Sequence, residues 1–245
     1  MPKNDNFIIV IPARYSSTRL PGKPLKNILG LPMIIRTSFQ CLKVVKKSQL
    51  IVATDDKRIK ECCDKYSINS MITSKKCKTG TDRVAEVAKK IKVANYINVQ
   101  GDEPIFNPLD LKKMINKSKY NKDKVLLGYT KINNKVHFKN KNIPKVVFDK
   151  KENLLYASRS LIPLSKKGKT AECWRQVLVY SFPRSKLLEF NKIKKKTPLE
   201  KLEDIEILRF LENGISVKLI KMSNKSYPVD TLQDLIKVKK ILQKK

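Results

Sequence analysis

The feature that most restricts the fold is an apolar run, Phe7–Ile11, that leads directly into a loop rich in proline, glycine and cations. This loop, residues 11–24, carries Arg14, Arg19 and Lys23. The apolar run predicts a rigid buried strand, and the Pro, Gly and Ser residues make the chain leave that strand as a loop. A loop that gathers cations at the end of a buried strand is suited to holding phosphate groups. The alternative, from this segment alone, is a surface loop that is basic because the whole chain is basic.

The loop does not follow either of two familiar glycine-rich phosphate-binding patterns. It lacks the order G-x-x-x-x-G-K-[ST] of a Walker loop and the order G-x-G-x-x-G of a dinucleotide fingerprint. If it binds phosphate, it therefore does so as a loop of another kind.

Short apolar runs alternate with segments of helical periodicity, which is typical of βαβ units and a largely parallel sheet. The predicted strands are Phe7–Ile11, Leu50–Ala53, Tyr96–Val99, Val125–Tyr129 and Ser216–Leu219. The predicted helices are Pro32–Val45, Asp56–Tyr66, Thr81–Lys90, Pro108–Lys119, Pro198–Leu211 and Thr231–Leu242. The loops at 12–24, 54–56 and 100–104 follow predicted strands, and ligands of open α/β sheets bind at that edge.

Between about residues 130 and 185 the alternation changes. The segments Lys145–Phe148, Asn153–Ala157 and Val177–Phe182 are predicted as strands without intervening helices. We therefore expect a single domain over residues 1–245, with an inserted strand-rich lobe at about 130–185.

Charge and composition limit the possible partners. The chain has 54 Lys and Arg against 22 Asp and Glu, a formal net charge of +32, yet the lysines are spread along its whole length. This distribution indicates a solvated basic coat and no specific nucleic-acid site, although a basic anion- or RNA-binding protein remains the alternative from a different class.

Other composition features point to a cytoplasmic globular protein. The N-terminus has no long apolar segment, and Phe7–Ile11 is too short to span a bilayer, so no membrane partner is expected. Five cysteines without C-x-x-C spacing predict neither a disulfide framework nor a zinc site. His137 is the only histidine, which leaves a single candidate for any mechanism that needs a histidine base.

Further motifs follow the first loop in a fixed order along nearly the whole chain. They are Ala53-Thr54-Asp55-Asp56, Thr79-Gly80-Thr81-Asp82-Arg83-Val84-Ala85-Glu86, Asn98-Val99-Gln100-Gly101-Asp102-Glu103-Pro104, Lys145-Val146-Val147, Tyr156-Ala157-Ser158-Arg159, Pro198-Leu199-Glu200 with Leu208-Arg209, and Val229-Asp230-Thr231. Together they resemble the sugar nucleotidyltransferases, and most closely the cytidylyltransferases that activate 3-deoxy-manno-octulosonate (Kdo).

The resemblance implies a fold and a reaction. The fold would be a Rossmann-like α/β nucleotide-diphospho-sugar transferase (GT-A-like), with a mixed sheet flanked by helices and a smaller strand-rich lobe for sugar binding and dimerisation. The reaction would transfer CMP from CTP to the anomeric hydroxyl of Kdo, giving CMP-Kdo and pyrophosphate for lipopolysaccharide synthesis. The implied partners are CTP, an acidic 3-deoxy sugar and a second copy of the chain.

The resemblance also assigns nucleotide-binding residues. Arg14, Arg19 and Lys23 would line the CTP phosphate site, with Lys23 nearest the transferred group, and Lys23, Arg14 and Asp102 would be the catalytic residues. The cytosine and ribose would be contacted by Ala13, Thr79, Gly80, Thr81 and Arg83. Asp82 stands where the family commonly has Glu, which keeps the charge but shortens the side chain.

Two loop carboxylates, Asp102 and Asp230, are the candidate ligands for Mg²⁺. Gly101 permits a tight bend after the predicted strand Tyr96–Val99, and hard oxygen ligands together with phosphate oxygens suit this cation. From residue chemistry alone, Asp102 can equally be a loop aspartate bound by its own backbone, and Asp230 a charge that favours the start of a helix.

For the sugar, the resemblance assigns Gln100 and Arg159 to the Kdo carboxylate and hydroxyls. It places Gln176, Tyr180 and Glu206 at further sugar-site positions. Three residues depart from the family: Gln176 replaces the usual His, Ile207 the usual Gln, and Pro228 the usual Gly. The changes at 176 and 207 keep open the same reaction on another acidic sugar, such as 8-amino-Kdo or a nonulosonate, and Pro228 stiffens the loop that holds Asp230.

Overall fold

The computed structural model describes residues 6–17, 19–133, 135–166 and 172–244. Residues 1–5, which belong to the N-terminus considered above, lie outside this set, as do Thr18 of the first loop and Lys245. The strands are β1 (Phe7–Ala13), β2 (Asn27–Ile28), β3 (Leu31–Pro32), β4 (Leu50–Thr54), β5 (Ser70–Ile72), β6 (Asn95–Val99), β7 (Val125–Lys131), β8 (Lys145–Phe148), β9 (Leu154–Ser158), β10 (Trp174–Pro183) and β11 (Val217–Lys221). The helices are α1 (Met33–Leu42), α2 (Lys57–Lys65), α3 (Gly80–Lys90), α4 (Pro108–Tyr120), α5 (Lys135–Lys139), α6 (Arg184–Lys192), α7 (Pro198–Glu203), α8 (Leu208–Glu212) and α9 (Leu232–Gln243).

A mixed sheet runs through the centre of the described chain in the order β11-β7-β10-β6-β1-β4-β5. Strands β6, β1, β4 and β5 are mutually parallel, whereas β10 is antiparallel to both of its neighbours, β6 and β7. Strand β8 is antiparallel to the first residues of β10 and also pairs with β9. This arrangement confirms the predicted α/β class with a mixed sheet.

The central strands are buried because helices cover both faces of the sheet. Along β1, Ile8 and Val10 pack on the side of α3 and α6, while Ile9 and Ile11 pack on the side of α1, α2 and α4. Every residue of β1 is therefore apolar and buried, as expected for a strand covered on both faces. A third apolar cluster seats α9 beside the loop that follows β1.

Two predicted elements differ from the structure, and several short elements were not predicted. The segment predicted as one helix over Pro198–Leu211 is two helices, because Asp204 adopts a left-handed conformation with φ of 50° and ends α7. The strand expected in the inserted lobe at Val177–Phe182 is part of β10, which lies inside the central sheet. Strands β2, β3 and β5 and helices α5 and α6 were not predicted.

The parallel strands bring the expected loops to one edge. In the register of β1 and β4, Ala13 lies opposite Thr54, and β1 runs parallel to β6 on its other side. The loops after β1, β4 and β6 therefore leave the sheet together, as the topology rule for ligand sites requires. None of the helices in the described part of the chain combines the length and apolar character needed to cross a bilayer.

Candidate active site

The loops at this edge of the sheet open onto a cavity of about 680 Å³. It brings together residues that are far apart in sequence, from the first loop, the start of α3, the loop after β6, the β8–β10 region and the loop before α9. The predicted site residues on its wall are Ala13, Arg14, Arg19, Lys23, Thr79, Gly80, Arg83, Gln100, Asp102, Arg159, Gln176, Tyr180, Glu206 and Asp230. Thr81 is the exception, since its side chain is buried behind the wall.

Lys23 lies between the two predicted metal-binding carboxylates. Its ammonium donates to Oδ2 of Asp102 at 2.6 Å and to Oδ1 of Asp230 at 3.2 Å. Burial alone would lower the pKa of Lys23, but the neighbouring Asp102 and Asp230 outweigh it and raise the pKa above its ordinary value. The ammonium is therefore charged throughout the neutral range and holds a position against the two carboxylates.

Lys23 begins a short 3-10 turn, Lys23–Leu25, just after Gly22. Gly22 has φ of 64°, and an added Cβ would lie 3.2 Å from the Tyr15 hydroxyl oxygen. Glycine is thus required here both by the left-handed backbone and by the close ring. The tight turn aims the lysine side chain into the cavity.

The loops that carry Asp102 and Asp230 are joined along their backbones. The amide of Val229 donates to the carbonyl of Asp102 at 2.9 Å, and the amide of Tyr227 donates to the carbonyl of Ile105 at 3.0 Å. The Ser226 hydroxyl adds a hydrogen bond to the buried carboxyl of Glu103. These links place two carboxylates from distant parts of the chain beside one another.

The two carboxylates fit a hard divalent cation that is shared with phosphate. The Oδ1 atom of Asp102 is buried and has no hydrogen-bond partner among the described residues. The same residues contain no group of three or more His, Cys, Asp or Glu side chains able to hold a metal by themselves. A cation at this point would thus take protein oxygens from Asp102 and Asp230 and complete its coordination with phosphate or water.

Two arginines of the first loop extend the positive wall. Arg19 donates from Nη2 to Oδ1 of Asp230 at 3.0 Å and from Nη1 to Oδ1 of Asn142 at 3.3 Å. Arg14 is exposed on the cavity side of the loop, near Asp204. Three cations from one loop therefore face a space large enough for a triphosphate.

The start of α3 is organised by Asp82. Thr79 and Asp82 form a capping box in which the Thr79 hydroxyl accepts from the Asp82 amide at 3.2 Å and the Asp82 carboxylate accepts from the Thr79 amide at 2.8 Å. The second carboxylate oxygen accepts from Nη1 of Arg209 at 2.7 Å. The Asp82 carboxylate is thus fully engaged in holding this helix end.

Arg83 lines the cavity but its guanidinium is already bound. Its Nη2 atom donates to Asp55 at 2.8 Å, its Nη1 atom donates to the hydroxyl of Thr73, and the residue is 3% exposed. In this structure Arg83 fastens α3 to the loop after β4.

Gln100 and Glu206 meet on another part of the cavity wall. Gln100 Nε2 donates to Oε1 of Glu206 at 3.3 Å, and the amide of Thr81 donates to Oε2 at 2.9 Å. Burial raises the pKa of the Glu206 carboxyl and of the Tyr180 phenol. Gln176 is buried nearby, and its Oε1 atom has no partner among the described residues. This part of the wall presents amide, hydroxyl and carboxyl groups, which suit a polyhydroxylated ligand.

Arg159 lines the cavity as predicted, but its guanidinium is already bound by protein groups. The guanidinium of Arg159 donates to the backbone carbonyls of Lys141, Asn142, Glu203 and Asp204, so it braces two loops of the cavity wall. Ile207, which replaces the family's usual Gln, is fully buried in the core and is absent from the cavity wall, whereas its neighbour Glu206 lines the cavity. The change at position 207 therefore does not alter the surface that the sugar would contact.

Other wall residues were not identified from the sequence. Burial raises the pKa of Glu103 to about 8, and Arg175 lies close enough to oppose that shift. Arg175 donates to Asn224 Oδ1 at 3.2 Å and lines the cavity together with His137. Glu103 was visible in the motif Gly101-Asp102-Glu103-Pro104, but Arg175 has no distinctive sequence context.

The sequence matches a family model described as Cytidylyltransferase over residues 8–222. The 3-deoxy-manno-octulosonate cytidylyltransferase of Fusobacterium nucleatum subsp. nucleatum is 40% identical over 234 residues, which cover 95% of each chain. The mitochondrial 3-deoxy-manno-octulosonate cytidylyltransferase of Arabidopsis thaliana is 35% identical over 241 residues, covering 96% of this chain and 83% of the relative.

Solved structures give the same result at the level of the fold. A structure of CMP:2-keto-3-deoxy-manno-octonic acid synthetase complexed with CTP matches with a TM-score of 0.89 and 32% identity, covering 97% of this chain and 98% of the other. A putative glucose-1-phosphate thymidylyltransferase from Bacillus anthracis matches with a TM-score of 0.70 at 11% identity, covering 96% and 94% of the two chains. The second match shows a shared fold alone.

Proposed function

Because this chain belongs to the cytidylyltransferase family, we propose that it transfers CMP from CTP to the anomeric hydroxyl of Kdo. The products are CMP-Kdo and pyrophosphate, and CMP-Kdo serves lipopolysaccharide synthesis. Support comes from relatives over nearly the whole chain that carry the name 3-deoxy-manno-octulosonate cytidylyltransferase.

The observation that carries this proposal is the meeting of Lys23, Asp102 and Asp230 on the wall of one cavity. Lys23 contacts both carboxylates, and the cavity extends from them to the polar groups of Gln100 and Glu206. The wall thus offers cations for a triphosphate and polar groups for a hydroxylated acid. Nucleotidyl transfer needs both substrates in one enclosure.

The chain's own residues mainly position the substrates and offset charge. In the reaction the sugar oxygen bonds to the α-phosphorus, the bond from that phosphorus to the bridging oxygen breaks, and pyrophosphate leaves with the electron pair. Arg14, Arg19 and Lys23 hold the triphosphate and stabilise the negative charge that builds on the departing group. Gln100 and Glu206 orient the sugar hydroxyls, and the hydroxyl proton is released.

Mg²⁺ is the cofactor in this proposal, held by Asp102 and Asp230. Both carboxylates lie within hydrogen-bond distance of one ammonium, and the buried Oδ1 atom of Asp102 lacks a protein partner. A cation bound there supplies positive charge to the triphosphate and to the leaving pyrophosphate.

The proposed assembly is a homodimer that works in the cytoplasm, where CTP is made. Support comes from exposed leucines on β9, on the segment that follows it and on α7. They are Leu155, Leu161, Leu164, Leu199 and Leu202. Helix α7 lies beside β9, since Glu203 accepts from the Ser158 hydroxyl and the Arg159 amide. Clustered exposed apolar side chains of this kind mark protein interfaces.

A second candidate is the same transfer to an amino-substituted acidic sugar. Gln176 favours it, because its buried Oε1 atom is an acceptor without a protein partner on the cavity wall. An ammonium or amino group on the sugar would supply the missing donor.

Pyrophosphate release from CTP, measured with a panel of acidic sugars, tests both candidates. We expect the purified chain with Mg²⁺ to release pyrophosphate with Kdo and to form CMP-Kdo, and to give much less product with GTP, UTP or ATP. Greater activity with 8-amino-Kdo would favour the second candidate. If no pyrophosphate is released with any sugar, both candidate functions are contradicted, and the alternative of a basic anion-binding protein is favoured.

A further inference from the structure

Arg209 is the largest fully buried side chain of the described chain, and it bridges two carboxylates. Its Nε and Nη2 atoms donate to the two carboxylate oxygens of Glu200, each at 2.6 Å. Its Nη1 atom donates to Oδ1 of Asp82 at 2.7 Å. Arg209 is 1% exposed and Glu200 is fully buried, and the ring of Phe190 lies 4.0 Å from the guanidinium carbon. The motif residues Glu200 and Arg209 have no part in the proposed chemistry.

The bridge connects the two halves of the cavity wall. On one side, the Asp82 carboxylate accepts hydrogen bonds from the backbone amides of Lys78 and Thr79, just before α3 begins. On the other side, the Arg209 amide donates to the carbonyl of Glu206 at 3.3 Å, so Arg209 lies in the first turn after Glu206. The bridge therefore joins the segment 78–82, on the nucleotide side, to the turn that carries Glu206, on the sugar side.

A second link runs parallel to this bridge. The amide of Thr81 donates to Oε2 of Glu206 at 2.9 Å, and Oε1 of the same carboxylate faces Gln100. Movement of the segment 78–82 would therefore displace both Arg209 and Glu206.

A contribution to folding stability does not by itself explain why Arg209, Glu200 and Asp82 are buried together. Buried ion pairs are often replaced by apolar residues of similar volume without loss of stability, because desolvation cancels much of the attraction. A guanidinium bound on three nitrogens instead fixes the distances and angles between the groups it joins. The same helix end is already held by the capping box of Thr79 and Asp82.

We propose that Arg209 is a positioning residue that locks the segment 78–82 to the turn bearing Glu206, so that CTP and the acidic sugar bind cooperatively. This inference rests on the proposed function. CTP restricts the motion of the segment 78–82, and the acidic sugar restricts that of the turn bearing Glu206. Because the guanidinium joins these two segments, the first substrate to bind also restricts the other segment. This lowers the conformational entropy lost when the second substrate binds.

The test measures CTP affinity with and without a bound sugar analogue. The probe is Kdo lacking its anomeric hydroxyl, which has no oxygen to attack CTP and so gives a stable ternary complex. Calorimetry with Mg²⁺ gives the CTP dissociation constant in each case, and the ratio of the two is the coupling factor. Arg209→Lys keeps the charge but cannot bridge three acceptor oxygens with the same geometry.

Arg184→Lys is the matched control. Arg184 donates from Nε to the carbonyl of Ala88 at 3.2 Å, so it contacts the other end of α3 and lies away from the cavity wall. Circular dichroism and thermal unfolding establish that each variant is folded at the temperature of the titration. If Arg209→Lys does not fold, Glu200→Gln provides the second variant, because it weakens the grip on Arg209 while leaving the arginine in place.

We expect a coupling factor of about five or more in the wild type and in Arg184→Lys, and a factor near one in Arg209→Lys or Glu200→Gln. A wild type without coupling, or a folded Arg209→Lys with the wild-type factor, would overturn the inference. Wild-type CMP-Kdo formation is assayed on the same preparation. Its absence would count against the proposed function, whereas normal product formation with unchanged coupling would count against the role of Arg209 alone.

Discussion

The ammonium of Lys23 lies 2.6 Å from Oδ2 of Asp102, although 79 positions separate the two residues. Lys23 belongs to the loop after β1 and Asp102 to the loop after β6, and these strands are parallel neighbours in the sheet. The pair is thus a direct result of topology, since both loops leave the same edge. At this point the ammonium can contact a bound triphosphate directly, whereas the carboxylate can hold a cation that the phosphate oxygens share.

Asp102→Asn tests the carboxylate in this pair. We expect kcat to fall at least about 100-fold with Mg²⁺, because a neutral amide attracts a bound cation and the Lys23 ammonium less strongly than a carboxylate does. The fold should persist, since Asp102 lies in a loop and is partly exposed to the cavity. Steady-state pyrophosphate release and thermal unfolding check the two statements. The control is Asp123→Asn, at an exposed turn. Near wild-type turnover in Asp102→Asn would contradict the metal assignment.

Glu103 should make stability depend on pH. Burial, with a further contribution from Asp102, raises the pKa of its carboxyl to about 8, although the Ser226 hydroxyl opposes the shift. The folded state therefore keeps a proton that the unfolded chain releases near its ordinary pKa of 4.5. The stabilisation from this proton is complete below the ordinary value, declines as the pH rises, and is lost above about 8.

Glu103→Gln removes that dependence. Relative to wild type, the free energy of unfolding of the variant should rise by on the order of a few kcal/mol between about pH 5 and about pH 9. Urea denaturation in the presence of a chelator measures the difference without a contribution from bound cations. Glu61→Gln, at an exposed helix position, should run parallel to wild type. A pH-independent difference between Glu103→Gln and wild type would show that Glu103 is ionised in the folded protein.

Sequence reasoning located the site better than it described the contacts within it. The strand ends and the family motifs were enough to place all but one of the predicted site residues on one cavity wall, because parallel strands bring their following loops together. The motifs carry no information on how many hydrogen bonds a side chain already makes. Arg159 and Arg83 match the family pattern, yet both guanidinium groups already have protein partners. Arg159 donates to backbone carbonyls, and Arg83 donates to Asp55 and Thr73.

Each missed feature has its own cause. Strand β5 has three residues, too few for an alternating pattern to be recognised. The break between α7 and α8 depends on the left-handed backbone of Asp204, a residue type that also occurs within helices. The place of β10 depends on long-range pairing with β6 and β7, which no local pattern specifies. The burial of Ile207 next to the cavity-lining Glu206 depends on the turn before α8, which the motif does not specify.

The exposed leucines on α7, on β9 and on the segment that follows β9 should determine the oligomeric state. Leu202 is 80% exposed in the single chain, and Leu202→Glu would place a charge within the proposed interface. We expect sedimentation to shift from dimer to monomer at micromolar concentration, because a buried unpaired carboxylate opposes association. Leu109→Glu, at a position 68% exposed on α4, should leave the dimer intact. A wild type that sediments as a monomer would contradict the proposed assembly.

The lysine coat should bind nucleic acid weakly and without sequence preference. Affinity for RNA or DNA should fall steeply as salt increases, because binding then depends on the release of counterions from the phosphate backbone. Fluorescence anisotropy with several unrelated oligonucleotides at low and physiological salt measures this. Tight binding to one sequence at physiological salt would instead support a specific nucleic-acid function.

Gln176 and Ile207 should have separable effects, since one lines the cavity and the other is in the core. Gln176→His replaces an amide whose Oε1 atom lacks a partner with an imidazole that can take a charge. A hydrogen bond gained or lost in a buried site is worth roughly 1–3 kcal/mol. We therefore expect the ratio of kcat/KM for Kdo to that for 8-amino-Kdo to rise by about one to two decades.

Ile207→Gln provides the contrast. Burying an amide without hydrogen-bond partners beneath α8 should lower the free energy of unfolding by roughly 1–3 kcal/mol, while the ratio between the two sugars stays as in wild type. The sugar panel and urea denaturation, applied to both single variants, separate specificity from stability. A changed sugar ratio in Ile207→Gln with unchanged stability would mean that the side chain reaches the ligand after all. An unchanged ratio in Gln176→His would remove position 176 from the residues that determine specificity.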